Sequence, residues 1–323
     1  VLDVDLLACP ACGGALRADL ACRACGEVYD SPLGVPCLRS SKCDARTDEV
    51  RAFYTESPFP NYPPDETLST LRRKAERSEL ARLLDLAIPG DASVVEIGCG
   101  TGQMSLFLAR AERRVVAADL TRASLELGRE AADRLGVDGV TFVETDLRTP
   151  GLKPGAFDVV YSSGVLHHTP DPRASFEAIA RLAKPGGFVI VGLYNAYARI
   201  LHRLRRLFAR ATGVYAFDPV LRDRRAEPAR REAWLRDQYL HPLEHRHTVR
   251  EVRAWFDENG IEWIRTYPSS LVSEDAPADL FVPAEDDWGP EALLAQLAWT
   301  RSLWAEGGLF VAVGRRITRA RTS

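Results

Sequence analysis

Val94-Val95-Glu96-Ile97-Gly98-Cys99-Gly100-Thr101-Gly102-Gln103 runs from a short apolar stretch into three alternating glycines. The apolar residues predict a buried strand. The glycines predict a sharp turn that lets the backbone approach a ligand closely, and a helix should follow. Such a turn alone is weak evidence. It gains weight from Val115-Val116-Ala117-Ala118-Asp119-Leu120, in which Asp119 closes a second strand. A carboxylate about twenty residues past the turn can accept both hydroxyls of a ribose. A dinucleotide fingerprint would seat a pyrophosphate on the helix N-terminus. Glu96 beside the loop repels a pyrophosphate and suits a cation, such as a sulfonium or an amino-acid ammonium.

Working outward, short apolar or β-branched runs at 94–97, 115–118, 140–143, 157–161 and 188–193 predict buried parallel strands. Helical patterns at 124–135 and 176–182 lie between them, the second stopped by Lys184-Pro185-Gly186-Gly187. This alternation predicts an open α/β sheet with right-handed crossovers and helices on both faces. A helix at 249–258, ended by Asn259-Gly260, and strands at 261–266 and 309–313 complete it. Two inserts interrupt the alternation, 195–247 and 268–307, the latter with a helix around 291–304. Much of 47–88 is expected to be helical except Pro58-Phe59-Pro60-Asn61-Tyr62-Pro63-Pro64, which cannot be.

Further motifs stand in register with the glycine turn: Glu144-Thr145-Asp146-Leu147, Phe157-Asp158-Val159-Val160-Tyr161-Ser162-Ser163-Gly164-Val165-Leu166-His167-His168, and Leu182-Ala183-Lys184-Pro185-Gly186-Gly187. The span from Val94 to Leu193 resembles the class I S-adenosylmethionine-dependent methyltransferases with a UbiE-like domain and a Rossmann-like sheet. The resemblance implies that Gly98, Gly100 and Gly102 pack under the methionine and ribose of S-adenosyl-L-methionine. It implies that Asp119 holds the ribose, that Leu120 flanks the adenine and that Asp146 meets the adenine amino group. Glu96, Cys99, Gln103, Leu147 and Ser163 complete the expected cofactor set.

Six of the seven cysteines fall in the first 43 residues. Cys9-Pro10-Ala11-Cys12-Gly13 and Cys22-Arg23-Ala24-Cys25-Gly26 are paired knuckles that can close a four-thiolate structural Zn2+ site. Cysteines used this way suit a reducing cytoplasm, and residues 1–5 carry no basic or apolar secretory region. The segment through Cys37-Leu38 resembles the Trm-type zinc ribbons that activate transfer RNA methyltransferases. It also resembles the ribbon of bacterial ribosomal RNA guanine methyltransferases. Cys37 stands at an aliphatic position of that pattern and is read as packing; Cys43 lies outside it. The expected organisation is a ribbon at 1–43, a helical lid and linker at 44–92, and a catalytic domain at 93–316.

Methyl transfer from a sulfonium is an in-line displacement, in which the protein supplies alignment and water exclusion. His168, and less so His167, stand where a base would remove an acceptor proton; a capping role is the alternative. Tyr54, Phe59 and Tyr62 are read as a lid or as plain packing, and Tyr194 leaves the fifth strand where acceptors sit. Tyr239, His241 and His245 belong to a His-rich loop that is read as facing the substrate, with a metal site as the alternative.

The chain has a net charge of −3 and no apolar run long enough to span a bilayer. Residues 197–236 hold eleven Arg against four acids, while 266–300 hold seven acids and no Lys or Arg. Tyr197, Ile200, Leu201, Leu204, Leu207 and Phe208 share one helical face. A basic amphipathic helix can lie on a membrane or bind RNA. The expectation is that the two inserts pair into one charge-balanced cap over a small-molecule acceptor. The alternative acceptor is ribosomal or transfer RNA, gripped by the ribbon and the Arg-rich helix.

Overall fold

The computed structural model describes residues 2–39, 45–56, 62–63, 65–215, 218–223, 228–241, 243–270, 277, 279–284, 289–303 and 307–318. Seven strands form one sheet: β1 (Ser93–Ile97), β2 (Arg114–Asp119), β3 (Val140–Glu144), β4 (Phe157–Ser163), β5 (Ala183–Tyr194), β6 (Ile261–Tyr267) and β7 (Leu309–Arg316). Their order is β3-β2-β1-β4-β5-β7-β6. The first five are parallel and β7 runs antiparallel to both of its neighbours. Every residue of β1 is buried, as expected of a central strand covered on both faces.

The helices are α1 (Ala45–Glu56), α2 (Leu68–Glu76), α3 (Glu79–Ala87), α4 (Gln103–Leu108), α5 (Arg122–Leu135), α6 (Pro172–Ala180), α7 (Ile200–Thr212), α8 (Pro219–Asp223), α9 (Pro228–Leu235), α10 (Val249–Glu258) and α11 (Pro290–Ser302). Two starts differ from the periodicity. α6 opens at Pro172 because the Asp171 carboxylate caps the amides of Arg173 and Ala174. β5 begins at Ala183, so the Pro-Gly-Gly stretch lies inside the strand, beside a register shift between Phe157 and Val159. Among the described residues no helix is long and apolar enough to cross a membrane.

Two cores cover the two faces of the sheet. One includes Val94, Phe107, Val115, Leu125 and Ile190; the other includes Val95, Val116, Phe176, Val189 and Phe256. Leu6, Leu7, Leu16, Leu20 and Leu38 of the Cys-rich segment belong to the second core. That segment is therefore joined to the sheet. Leu38 donates its amide to the Glu144 carbonyl at 2.8 Å, and Glu144 donates its amide to the Pro36 carbonyl at 2.9 Å, extending the sheet past β3. Ala8 and Lys153 add backbone bonds to Gly151 and Leu6.

The strand order reverses between β1 and β4, so the loops leaving these two strands meet where an open α/β sheet binds ligands. The approach is close. Gly98 has φ +73°, and a β-carbon there would lie 2.2 Å from a Val165 methyl.

Candidate active site

At one end of the site the turn after β1 is tied to the end of β2. Gly98 and Cys99 donate their amides to the Ala118 carbonyl at 2.7 and 3.1 Å. The Asp119 carboxylate accepts the Gly100 amide at 2.9 Å and the Thr121 amide at 2.8 Å. Burial raises the Asp119 pKa, and these amides oppose the shift. Glu96 is buried and accepts the Ser105 hydroxyl. Burial, reinforced by the nearby Asp119, pushes its carboxyl up to about 7. A buried acid, Glu96, and a half-buried one, Asp119, thus share this end, and among the described residues no Lys or Arg pairs with either.

At the other end stand residues that follow β4 and β5. His168 Nδ1 bonds the Leu243 carbonyl at 2.7 Å, so that nitrogen carries a proton, and in the neutral ring Nε2 carries the lone pair. The His168 ring lies 3.7 Å from that of His241, which in turn contacts Phe53 and Tyr54 of α1 at 5.2 and 5.7 Å. The Tyr194 hydroxyl accepts Gln238 Nε2 at 2.6 Å.

One cavity of about 670 Å³ joins the two ends. Of the residues expected from sequence, its wall includes Glu96, Gly98, Cys99, Gly100, Gln103, Asp119, Leu120, Asp146, Leu147, Ser163, His168, Tyr54 and Tyr194. The Asp146 carboxylate is held by Arg148, with Nη2 at 2.9 Å. Others sit behind the wall. Gly102 packs under Phe142, where a β-carbon would come within 2.7 Å. Tyr62 donates its hydroxyl to the Thr101 carbonyl at 2.8 Å.

His167 is fully buried, stacked on Tyr194 at 3.8 Å, and burial followed by the neighbouring His168 holds its pKa well below the usual value. Tyr239 turns away to bond Asp218 at 2.7 Å. His241 backs His168, and His245 donates its amide to the His167 carbonyl at 2.8 Å. Phe59 lies outside the described residues.

Sequence reasoning missed the polar frame of the second end. Arg199, from the Arg-rich insert, is 1% exposed. It bonds Gln238 Oε1 at 2.8 Å and Glu244 Oε2 at 3.0 Å, and its guanidinium covers Tyr194. Arg206 also pairs with Glu244. Nothing in a run of eleven arginines marks the buried ones. The buried Glu66, paired with Lys74, was missed too and lines the cavity from the helical linker.

The two inserts do meet: Asn195 Nδ2 donates to Gln296 Oε1 at 3.0 Å, and the Arg199 guanidinium donates to the Gly307 carbonyl, with no ion pair between the inserts among the described residues. Five of the seven acids of 266–300 lie outside the described residues.

In the Cys-rich segment the Sγ atoms of Cys9, Cys12, Cys22 and Cys25 all lie within 4.8 Å of one another. The closest approaches are 3.6 Å between Cys9 and Cys25 and 3.5 Å between Cys12 and Cys22. Four sulfurs around a Zn2+ ion with bonds of about 2.3 Å stand about 3.8 Å apart, so the cluster fits that ion. The Cys25 and Ala24 amides lower the Cys22 thiol to about 6, which favours a thiolate ligand. Cys37 stands apart, on the segment bridged to Glu144; Cys43 lies outside the described residues.

Residues 95–191 match the family described as "Methyltransferase domain". The chain is 26% identical over 253 residues to an uncharacterized protein of Synechococcus sp., covering 68% of this chain and 60% of that one. It is 32% identical over 156 residues to the ubiquinone biosynthesis O-methyltransferase of Xanthomonas euvesicatoria pv. vesicatoria, covering 46% of this chain and 62% of that one. The chain thus spans less than two thirds of either relative. Among solved structures, a geranyl diphosphate C-methyltransferase from Streptomyces coelicolor A3(2) superposes with a TM-score of 0.50 at 15% identity, over 86% of this chain and 100% of that one. That likeness concerns the fold.

Proposed function

Given that the chain carries a class I S-adenosylmethionine-dependent methyltransferase domain, we propose that it transfers a methyl group to a small-molecule acceptor held between His168, Tyr194 and Gln238. The observation that supports this is the single cavity running from the Asp119 carboxylate to these three side chains. Its volume, about 670 Å³, is in the range of small-molecule sites.

The residues at the glycine turn fit S-adenosylmethionine. Buried Glu96 and half-buried Asp119 have no Lys or Arg partner among the described residues, and they suit an ammonium and a ribose diol. Bound there, S-adenosylmethionine supplies a methyl group already activated by its sulfonium. Asp119, fixed by two backbone amides, orients the sugar. Glu96 offers the countercharge. Gly98 and Gly100 keep the wall low enough for close approach.

At the acceptor end, His168 Nε2 takes the proton that an O–H or N–H acceptor loses as its new bond to the methyl carbon forms. The Leu243 carbonyl fixes the tautomer that makes this nitrogen basic. Tyr194, held by Gln238 and Arg199, positions the acceptor and keeps water out.

The ribbon favours the second reading, an RNA acceptor. Two arginines of the basic insert are committed to Glu244 inside the protein, which leaves them out of reach of phosphates. The test is methyl incorporation from labelled S-adenosylmethionine into a panel of phenols, amines and organic acids, run beside transfer and ribosomal RNA. Labelled small molecules carry the proposal. Label in RNA alone, with affinity that falls steeply in salt, overturns the acceptor class while leaving the chemistry.

A further inference from the structure

α7 is built inside out. Its inward face is polar or small: His202 donates Nε2 to the Gln238 carbonyl at 3.1 Å, Arg206 Nη2 bonds the His241 carbonyl at 3.0 Å, and Ala209 is buried. Its outward face carries the large aliphatic side chains. Ile200 and Leu201 are each 45% exposed, Leu204 58% and Leu207 55%. An ordinary surface helix turns such a stripe to the core, because water around it costs free energy. Here the Glu244 ion pairs and the Gln238 bond hold the stripe outward instead.

Arginines border the stripe and no acid interrupts it. On a helical wheel Arg203 and Arg210 fall along one edge and Arg205 along the other, and α7 contains no Asp or Glu. α11 lies at the root of this helix, with Thr300 bonded to the Tyr197 carbonyl at 3.5 Å and Gln296 to Asn195 at 3.0 Å. It buries Ala292, Ala295, Gln296 and Trp299, and exposes Leu293, Leu294 and Leu297.

We infer that α7 docks the protein on the surface of an anionic lipid bilayer, the helix lying in the interface. The aliphatic stripe enters the acyl boundary and the bordering arginines meet lipid phosphates. Charge chooses this occupant over the others. A second copy of α7 would bring arginine edge against arginine edge with no acid between them. A nucleic acid would satisfy the arginines and leave the aliphatic stripe in water. A bilayer with anionic headgroups satisfies both. The surface sits close to the cavity, since Tyr194 lines it and α7 begins at Ile200. The docking stands independently of the acceptor class.

The test is flotation of the full chain with vesicles of phosphatidylcholine alone, or of phosphatidylcholine mixed with an equal amount of phosphatidylglycerol. The wild type should float with the mixed vesicles at low salt and largely dissociate from them at high salt. Leu204→Asp combined with Leu207→Asp should leave roughly tenfold less protein on the vesicles. Arg203→Glu combined with Arg210→Glu should erase the preference for phosphatidylglycerol. Unchanged thermal midpoints and S-adenosylhomocysteine affinity certify that the variants are folded.

Failure of the folded wild type to float with anionic vesicles overturns the inference. So does flotation that the leucine variant retains in full. A self-association equilibrium that the leucine variant abolishes, without vesicle binding, assigns the face to a second copy instead. RNA retention lost in the arginine variant, again without vesicle binding, assigns it to nucleic acid.

Discussion

The guanidinium carbon of Arg199 sits 3.7 Å from the centre of the Tyr194 ring, and the His167 ring stacks on the same tyrosine at 3.8 Å. Two groups that close cannot share a face, so the tyrosine is clamped between them. Burial works against the Glu244 carboxylate, but Arg199 and Arg206 hold it below its ordinary range. Arg199→Met should therefore cost about 3 kcal/mol or more of stability, because it breaks a buried ion pair and loosens Tyr194. Denaturant unfolding checks this. A loss below about 1 kcal/mol would show the network to be no stronger than a surface pair.

Asp119→Ala should weaken S-adenosylhomocysteine binding roughly a hundredfold or more, since two hydrogen bonds to a charged group are lost. Asp119→Asn keeps one acceptor oxygen and should fall between. Calorimetry at pH 8 measures both. Wild-type affinity in Asp119→Ala would remove this residue from the site.

Glu96 gives a pH signature. Its carboxyl titrates near 7 in the free protein, so ionising it in its buried place opposes folding. The sign follows from a raised acid: stability contributed by this group falls as pH rises from the ordinary carboxylate range to about 7, then stays flat. Glu96→Gln should raise the thermal midpoint of the ligand-free protein at pH 8 by an amount worth at most a few kcal/mol. Binding of a cationic ligand needs the ionised form. Wild-type affinity should therefore weaken by up to about tenfold per pH unit below that value, and Glu96→Gln should flatten the profile.

His168→Gln should lower the turnover number by about a hundredfold or more while leaving cofactor affinity intact, if the acceptor must lose a proton. The acidic limb of the pH–rate profile, along which a general base is lost to protonation, carries the diagnosis. Replacing His167, which is buried behind Tyr194, should lower stability and leave that limb in place.

Metal analysis should find one zinc per chain, lost in Cys22→Ser. Because Leu6, Leu7 and Cys9 share a core with Val143 and Leu152, removing the metal should lower the unfolding midpoint of the whole chain. A separate low-temperature transition with the main one unmoved would show instead that the ribbon melts alone.

The seven-stranded sheet and the glycine turn tied to Asp119 were legible because their determinants are local. A strand, a turn needing positive φ at Gly98 and an acid closing the next strand are dictated by residues adjacent along the chain, and so are two CxxC turns. Tertiary structure alone decided the rest. Whether Arg199 is buried depends on Glu244 and Gln238, some forty residues downstream, and whether the α7 leucines face core or water depends on which side of that helix the same groups seize. The joining of the ribbon to β3 likewise rests on Leu38 meeting Glu144. A periodic pattern reports that a helix has two faces. Only long-range contacts, whose partners carry no mark in sequence, select the one that turns inward.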